Sequence, residues 1–352
     1  MKKVFLQILL LTVTLSAFAQ NDDKAREAKL KETMAMEDAD GWVRKGGLGL
    51  DLGQLLNINP YAGGGSNRLG IGGAIGYNAN YKKGLLTWKN ALLTNVATQR
   101  IGAGTVALNS ETKFPFEKAL DILNFGSNLS YQTKAGSKWA YSADLGVLSQ
   151  ILPSHLDGTN KKVYLKKINE GGFNTTLVSK FFSPALITFA PGMKYVPNKH
   201  WSIFYSPIGA QITYVADKKI ANLTSAPGAA YSLHGTKLKD GSTTEYNQSK
   251  FGLGSIAKIG YTNTFMKKLN FTSNLALLND YLDKPQNIDI QWLNSLGVEI
   301  FKGFNLLVRG DVYYDDNKTN SISDKNAVGG VSGTGKRPNI IEQVLLTYNK
   351  NF

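Results

Sequence analysis

His155, His200 and His234 are the first residues to ask for chemistry, and their spacing does not provide it. Imidazoles hold zinc when they stand a helical turn apart or beside cysteines, whereas these three are scattered and the chain has 0 Cys. A lipid-face hydrolase needs a serine next to a histidine on the same wall, but the serines fall mostly on lumen faces or in connections, far in pattern from any histidine. Gly63-Gly64-Gly65 and GGVSGTG, Gly329 to Gly335, look like phosphate loops. Neither leads from strand to helix or ends on Lys-Ser/Thr, so both read as flexible surface loops. Asp315, Asp316 and Asp324 offer hard oxygens to calcium, at a spacing that makes no compact calcium loop. No catalytic, cofactor-binding or metal-ligating residue is expected.

Two sets of charges remain. Asp51, Asp144, Lys258, Asp289, Glu299, Arg309 and Asp311 lie on the polar sides of alternating segments. Charges enclosed in this way must pair or meet water. They form either a closed network that fixes register or a lining that selects ions or binds a solute, and the Asn, Gln, Ser and Thr around them suit the network. The second set is basic. The net charge is +14, of which Lys2 and Lys3 supply two, leaving +12 for a mature chain. Much of it sits in long connections: Lys161, Lys162, Lys166, Lys167, Lys218, Lys219, Lys237, Lys239, Lys336 and Arg337. With no nucleic-acid motif present, lipopolysaccharide phosphates are the expected partner.

The elements that position these residues are strands. Residues 1–19 read as a signal peptide: Lys2 and Lys3, an apolar run from Val4 to Leu15, and Ala17-Phe18-Ala19. Residues 20–41 read as a periplasmic leader, helical or disordered, because Asp22 to Asp40 are charged and free of Gly and Pro. From 42 to 352 period-two alternation recurs. Leu48, Leu50 and Leu52 oppose Gly49, Asp51 and Gly53; Ile71, Ile75 and Tyr77 oppose Gly72, Gly76 and Asn78. Trp139, Tyr141 and Leu145 oppose Ser142, Asp144 and Gly146; Leu306, Val308 and Val312 oppose Asn305, Arg309 and Asp311.

Alternation alone would also suit a soluble sandwich, whose polar face looks to water. The connections separate the two, because short links such as Ala135 to Lys138 and Pro197 to His200 alternate with long ones such as Ile151 to Ser183 and Ala216 to Ser249. That rhythm predicts an all-β, transmembrane, antiparallel up-and-down barrel of about twelve strands in the outer membrane, with both ends of the chain on the periplasmic side. Tyr348 and Phe352 close the last strand in the manner of the signal read by the barrel-assembly machinery, with Lys350 interrupting the apolar face.

The segment GWVRKGGLGLDLGQLLNINPYAGGGSNRLGIGGAIGYNANYKKGLLTWKNAL carries Trp42, Gly63 to Gly65 and the triplet Trp88 to Asn90. It is followed in order by FFSPALITFAPGMKY, YSPIGAQITYV, NDYLDKPQNIDIQW and VYYDD. Together they resemble an uncharacterised outer-membrane barrel family of Bacteroidota, a domain of unknown function. Such families carry Asn-Trp before the glycines where this chain has Pro60 and Tyr61. The resemblance implies fold and location and no activity. The expected function is a narrow channel or small-solute transport or binding barrel without enzymatic turnover. The alternatives are a non-conducting scaffold or lipid-handling barrel of the envelope and, third, an outer-membrane lipid enzyme.

Overall fold

A hydrocarbon environment offers no hydrogen bonds, so a strand-built wall is viable there only if its ladder closes on itself. In the computed structural model it does. The structure describes residues 39–55, 67–102, 117–156, 162–163, 176–224, 228–266, 268–282, 284–301, 304–316, 320–323 and 331–351. Twelve strands form the barrel: β1 (Gly41–Leu55), β2 (Asn67–Lys83), β3 (Leu86–Gly102), β4 (Glu117–Gln132), β5 (Trp139–Ser149), β9 (Ala185–Tyr195), β10 (Trp201–Tyr214), β11 (Ser249–Phe265), β12 (Leu269–Leu278), β13 (Asp289–Phe301), β14 (Phe304–Tyr314) and β17 (Asn339–Asn351). Each pairs antiparallel with its neighbours, and β1 closes on β17 through Gly47↔Asn351 to Leu50↔Tyr348.

The other elements lie in connections. Strands β6 (Ser154–Leu156), β7 (Lys162–Val163) and β8 (Thr176–Ser179) make a small sheet in the order β7-β6-β8, and β15 (Asn320–Ser323) pairs with β16 (Val331–Gly335). One short helix, α1 (Lys218–Ala221), completes the described elements. The glycine-rich run is thereby corrected. Its residues Val331 to Gly335 are paired as a strand, because main-chain hydrogen bonding across the hairpin replaces the loop that composition alone suggests. Residues 1–38, Gly63 to Gly65 and Asp324 lie outside the described residues.

The alternation has the expected phase. Leu50 is 58% exposed, Ile75 56% and Tyr141 60%, each pointing out of the barrel, while Ala74, Leu93 and Asn95 on the opposite face are buried. Leaving so many large apolar side chains in water would cost roughly 1.5–3 kcal/mol apiece. Contact with lipid removes that cost, so the wall spans a membrane.

Aromatic rings crowd the outer face at the tight-turn end. Trp42 packs on Tyr81 at 5.2 Å and on Trp88 at 5.7 Å, Trp139 on Tyr195 at 4.5 Å, and Trp201 on Tyr261 at 4.7 Å. They suit the half-polar interface. Two polar groups on this outer face are satisfied by one repeated device. Trp88 Nε1 donates to Ser127 Oγ (2.8 Å), Ser127 Oγ to Asn90 Oδ1 (2.8 Å), and Asn90 Nδ2 to the Ala79 carbonyl (3.1 Å). Near the other end Trp292, Ser273, Asn294 and the Gly310 carbonyl repeat it at 3.0, 2.7 and 3.1 Å.

The ladder is interrupted where β9 meets β10. The register of β10 shifts by one residue between Tyr205 and Ala210, a bulge around Pro207, which has no N–H to give. Ser206 Oγ donates to the Pro191 carbonyl at 2.7 Å and Tyr281 Oη to the Pro207 carbonyl at 2.8 Å, so the freed acceptors stay paired. A Cβ on Gly192 would lie 2.1 Å from the Tyr205 carbonyl oxygen, so the bulge requires glycine there. Gly126 of β4 has nothing within 4 Å of its Cβ position. Gly192→Ala should therefore lower stability in lipid vesicles by about 1–3 kcal/mol, read as a shifted urea midpoint, with Gly126→Ala close to the parent. Equal midpoints for the two variants would place the bulge elsewhere.

Candidate functional site

Inside the barrel the side chains of β4, β5 and β11 converge. Successive pairing puts Asn128 opposite Asp144 and Ser130 opposite Ser142, all on the inner face. Asn128 Nδ2 donates to Asp144 and, at 2.8 Å, to Ser142 Oγ; Ser130 Oγ donates to Asn128 Oδ1 at 2.9 Å. From β11, Lys258 reaches across β10 and β9 to place Nζ 2.8 Å from Asp144 Oδ2. Its ammonium passes over the Phe204 ring at 5.6 Å, a favourable cation–π approach. Phe204, Ala190 and Ile256 form a buried apolar cluster in the same region. The pair is partly open to water, with 48% of the Lys258 side chain accessible and 19% of that of Asp144.

The other expected lumen charges take other positions along the wall. Asp311 is fully buried on β14, where the Tyr313 hydroxyl donates to it at 3.4 Å. Asp289 stands at the external end of β13, accepting from the Asp316 amide at 3.4 Å. Glu299 lies near the tight-turn end, opposite Asn305. Asp51 takes the register position opposite Gly72, and Arg309 those opposite Ser295 and Gln343. Sequence reasoning missed three inward lysines: Lys45 opposite Asn78, Lys89 between Asn80 and Asn128, and Lys194 between Ala140 and Phe204. Parity with outward Trp42, Trp88 and Tyr195 would have found them. It also missed inward Leu93 and Leu307, which are buried.

The external connections form a folded cap. Its α1 packs beside β8: Val215, Ile220 and Ala221 are buried, with Leu177 and Leu223 against them. The Ala216 amide donates to the Phe182 carbonyl at 2.9 Å and the Asp217 amide to Ser183 Oγ at 2.9 Å. His234 Nε2 donates to the Val178 carbonyl at 2.8 Å. Below lies a cavity of about 310 Å³ lined by Ile122, Leu148, Leu186, Thr213, Pro184 and His234. The remaining histidines are apart: His155 in β6, and His200 at the tight-turn end, donating from Nδ1 to the Thr262 carbonyl at 3.0 Å.

Several cationic residues expected to meet phosphate are neutralised within the chain. Lys336 Nζ lies 2.9 Å from Asp316, Lys218 3.6 Å and Lys239 3.0 Å from Glu245. The Lys336 ammonium holds the Asp316 carboxyl below its ordinary range and is itself held above its own, and Lys239, then Lys218, lower that of Glu245. Lys219 donates its backbone amide to Asp217. Lys237 and Arg337 are exposed, and Lys162 is in β7. Lys161, Lys166, Lys167 and Phe352 lie outside the described residues, and Tyr348 pairs in register with Leu50 and Phe304.

A family model described as a protein of unknown function (DUF3078) matches residues 54–155, less than a third of the chain. No curated protein matches. Among solved structures, the chain is similar to an outer-membrane channel of Pseudomonas putida F1, with 9% identity, 90% of this chain and 97% of that one covered, and a TM-score of 0.38. It is also similar to the translocator domain of the autotransporter NalP from Neisseria meningitidis, with 12% identity, 95% and 99% coverage and a TM-score of 0.34. For the P. putida toluene transporter TodX the values are 13%, 90% and 80%, and 0.35. These identities lie far below the level at which an activity transfers. The closed ladder, apolar outer wall and alternating connections make this chain an outer-membrane β-barrel.

The cap carries its own test. Asp217 accepts from the Lys219 amide at 2.8 Å and the Ile220 amide at 3.3 Å as the N-cap of α1, and from Lys180 Nζ at 2.5 Å. The Lys180 hydrogen bond holds its carboxyl below the ordinary value, against an opposing effect of burial and with help from the helix amides. A depressed folded-state value means the contact contributes fully above the ordinary carboxylate pKa and is lost as pH falls through the folded one. Hydrogen exchange at Ala216 and Ala221 should stay protected at neutral pH and lose protection only below the usual carboxylate range. Asp217→Asn, which keeps the cap acceptor, should weaken protection at neutral pH less than Asp217→Ala, which also removes a cap worth about 1 kcal/mol. Identical protection in all three proteins would remove Asp217 from cap docking.

Proposed function

We propose that the barrel is a narrow channel or small-solute binding barrel without enzymatic turnover, constricted at Asp144 and Lys258. The observation carrying this reading is that an ion pair on the inner wall, linking strands separated by two others, nonetheless leaves its lysine half accessible to water. Solvent at that depth gives a solute a polar surface to meet, and a fixed pair of opposite charges is a means of selecting it. The cavity of about 310 Å³ beneath the cap supplies room at the mouth. Ser127 and Ser273 on the outer wall bond to Trp and Asn, which speaks against their use as lipid-hydrolase nucleophiles.

One observation favours a non-conducting scaffold or lipid-handling barrel instead. Ala74, Leu93, Asn95, Leu307 and Asp311 face inward and are buried, as in a packed interior. Reconstitution in a planar bilayer distinguishes the two readings. The channel reading predicts stepwise conductance, larger steps when Asp144 and Lys258 are both changed to Ala, and a shift towards cations for Lys258→Ala alone. Silence from correctly folded protein would support the packed interior and reject the channel.

A further inference from the structure

Cationic side chains are distributed differently at the two ends of this barrel. The tight turn between β2 and β3 carries Lys82 and Lys83, that between β4 and β5 Lys134 and Lys138, that between β9 and β10 Lys199, and that between β11 and β12 Lys268. The connection between Phe301 and Phe304 reads Lys302-Gly303 in the sequence. None of these turns contains Asp or Glu. Lys83, Lys134, Lys138, Lys199 and Lys268 are exposed and Lys82 is half-buried. Among the described residues no side-chain partner is found for any of the six, whereas Lys180, Lys218, Lys239 and Lys336 of the external connections each meet a carboxylate. Among the described residues, the acidic groups nearest this rim, Asp40 and Glu299, lie just before β1 and within β13, outside the turns.

The lysines stand just beyond the belt of Trp42, Tyr81, Trp88, Trp139, Tyr195, Trp201 and Tyr261, which marks the membrane interface at this end. They also occur in turns spaced around the circumference. A single protein partner would touch one sector, whereas cations in four turns spread around the rim at headgroup depth meet a plane. Lysine stems can lie along the apolar wall while the ammonium reaches phosphate, and each cation near an anionic surface draws such lipid towards it.

From this placement we infer that the tight-turn rim is a binding surface for anionic phospholipid headgroups, gathering them around the barrel in the leaflet that contacts the turns. In outer-membrane barrels that leaflet faces the periplasm. The lysine ring therefore anchors the barrel at the end opposite its folded cap.

The tryptophans provide the measurement. Of the 5 Trp, only Trp292 lies away from this belt, so a Trp292→Phe protein reports on the tight-turn interface alone. It would be refolded into phosphatidylcholine vesicles containing equal fractions of either brominated phosphatidylglycerol or brominated phosphatidylcholine. The expected result is stronger quenching by the brominated phosphatidylglycerol, lost in roughly 0.5 M salt, where screening acts over a few ångströms. In a variant with all six lysines changed to Gln, verified as folded by its faster migration before boiling, the preference should also disappear. Should that variant not fold, the salt arm on the Trp292→Phe protein decides alone. Equal quenching by the two lipids, or a preference that survives salt or the Gln variant, would overturn the assignment, and equal quenching would redirect the ring to a soluble acidic partner.

Discussion

In hydrocarbon a backbone amide or carbonyl finds no water, and each unpaired group costs several kcal/mol. Everything in this structure follows from meeting that condition. Twelve strands pair around a circle, and among the described residues the circle closes where β1 meets β17 over four residue pairs, Gly47↔Asn351 to Leu50↔Tyr348. By comparison β2 and β3 pair along their whole length, from Asn67↔Gly102 to Lys83↔Leu86. The closing seam is thus the shortest ladder in the wall. It brings the last residues of the chain against its first strand.

Where the ladder is broken, side chains repair it. Pro191 and Pro207 interrupt the seam between β9 and β10, and hydroxyls of Ser206 and Tyr281 reach the carbonyls left there. Polar side chains on the outer wall obey the same demand, since Asn90 and Asn294 each bond across a neighbouring strand and take a proton donor from a serine held by tryptophan. The triplet Trp88 to Asn90 therefore has a physical role: it places a polar group in the outer wall without leaving it unpaired.

Much of the barrel was legible because a strand's period is two and needs only local sequence. Leu50 out and Asp144 in, tight turns alternating with long ones, and about twelve strands could all be read from neighbouring residues. What could not be read depends on distance or on exceptions to the period. Lys258 and Asp144 are 114 residues apart and meet only because the closed sheet brings β11 and β5 onto one inner wall, with a lysine reaching over β10 and β9. The bulge at Pro207 reverses the phase within β10, so outward Tyr205 is followed by outward Ile208. Leu93 and Leu307 are apolar yet face inward, which alternation by polarity cannot show. The external connections looked like solvated links because Gly, Ser and Lys dominate them, but Val215, Ile220 and Tyr246 supply a small buried core there.

The central claim is that one face of each strand meets lipid and the other does not. With 0 Cys in the chain, single cysteines from Gly70 to Tyr77 of β2 can be spin-labelled one at a time and their collisions with oxygen measured in vesicles. A closed membrane barrel predicts maxima at Ile71, Gly73, Ile75 and Tyr77 and minima at Gly70, Gly72, Ala74 and Gly76. A profile without period two, or one with maxima on the even positions, would contradict it.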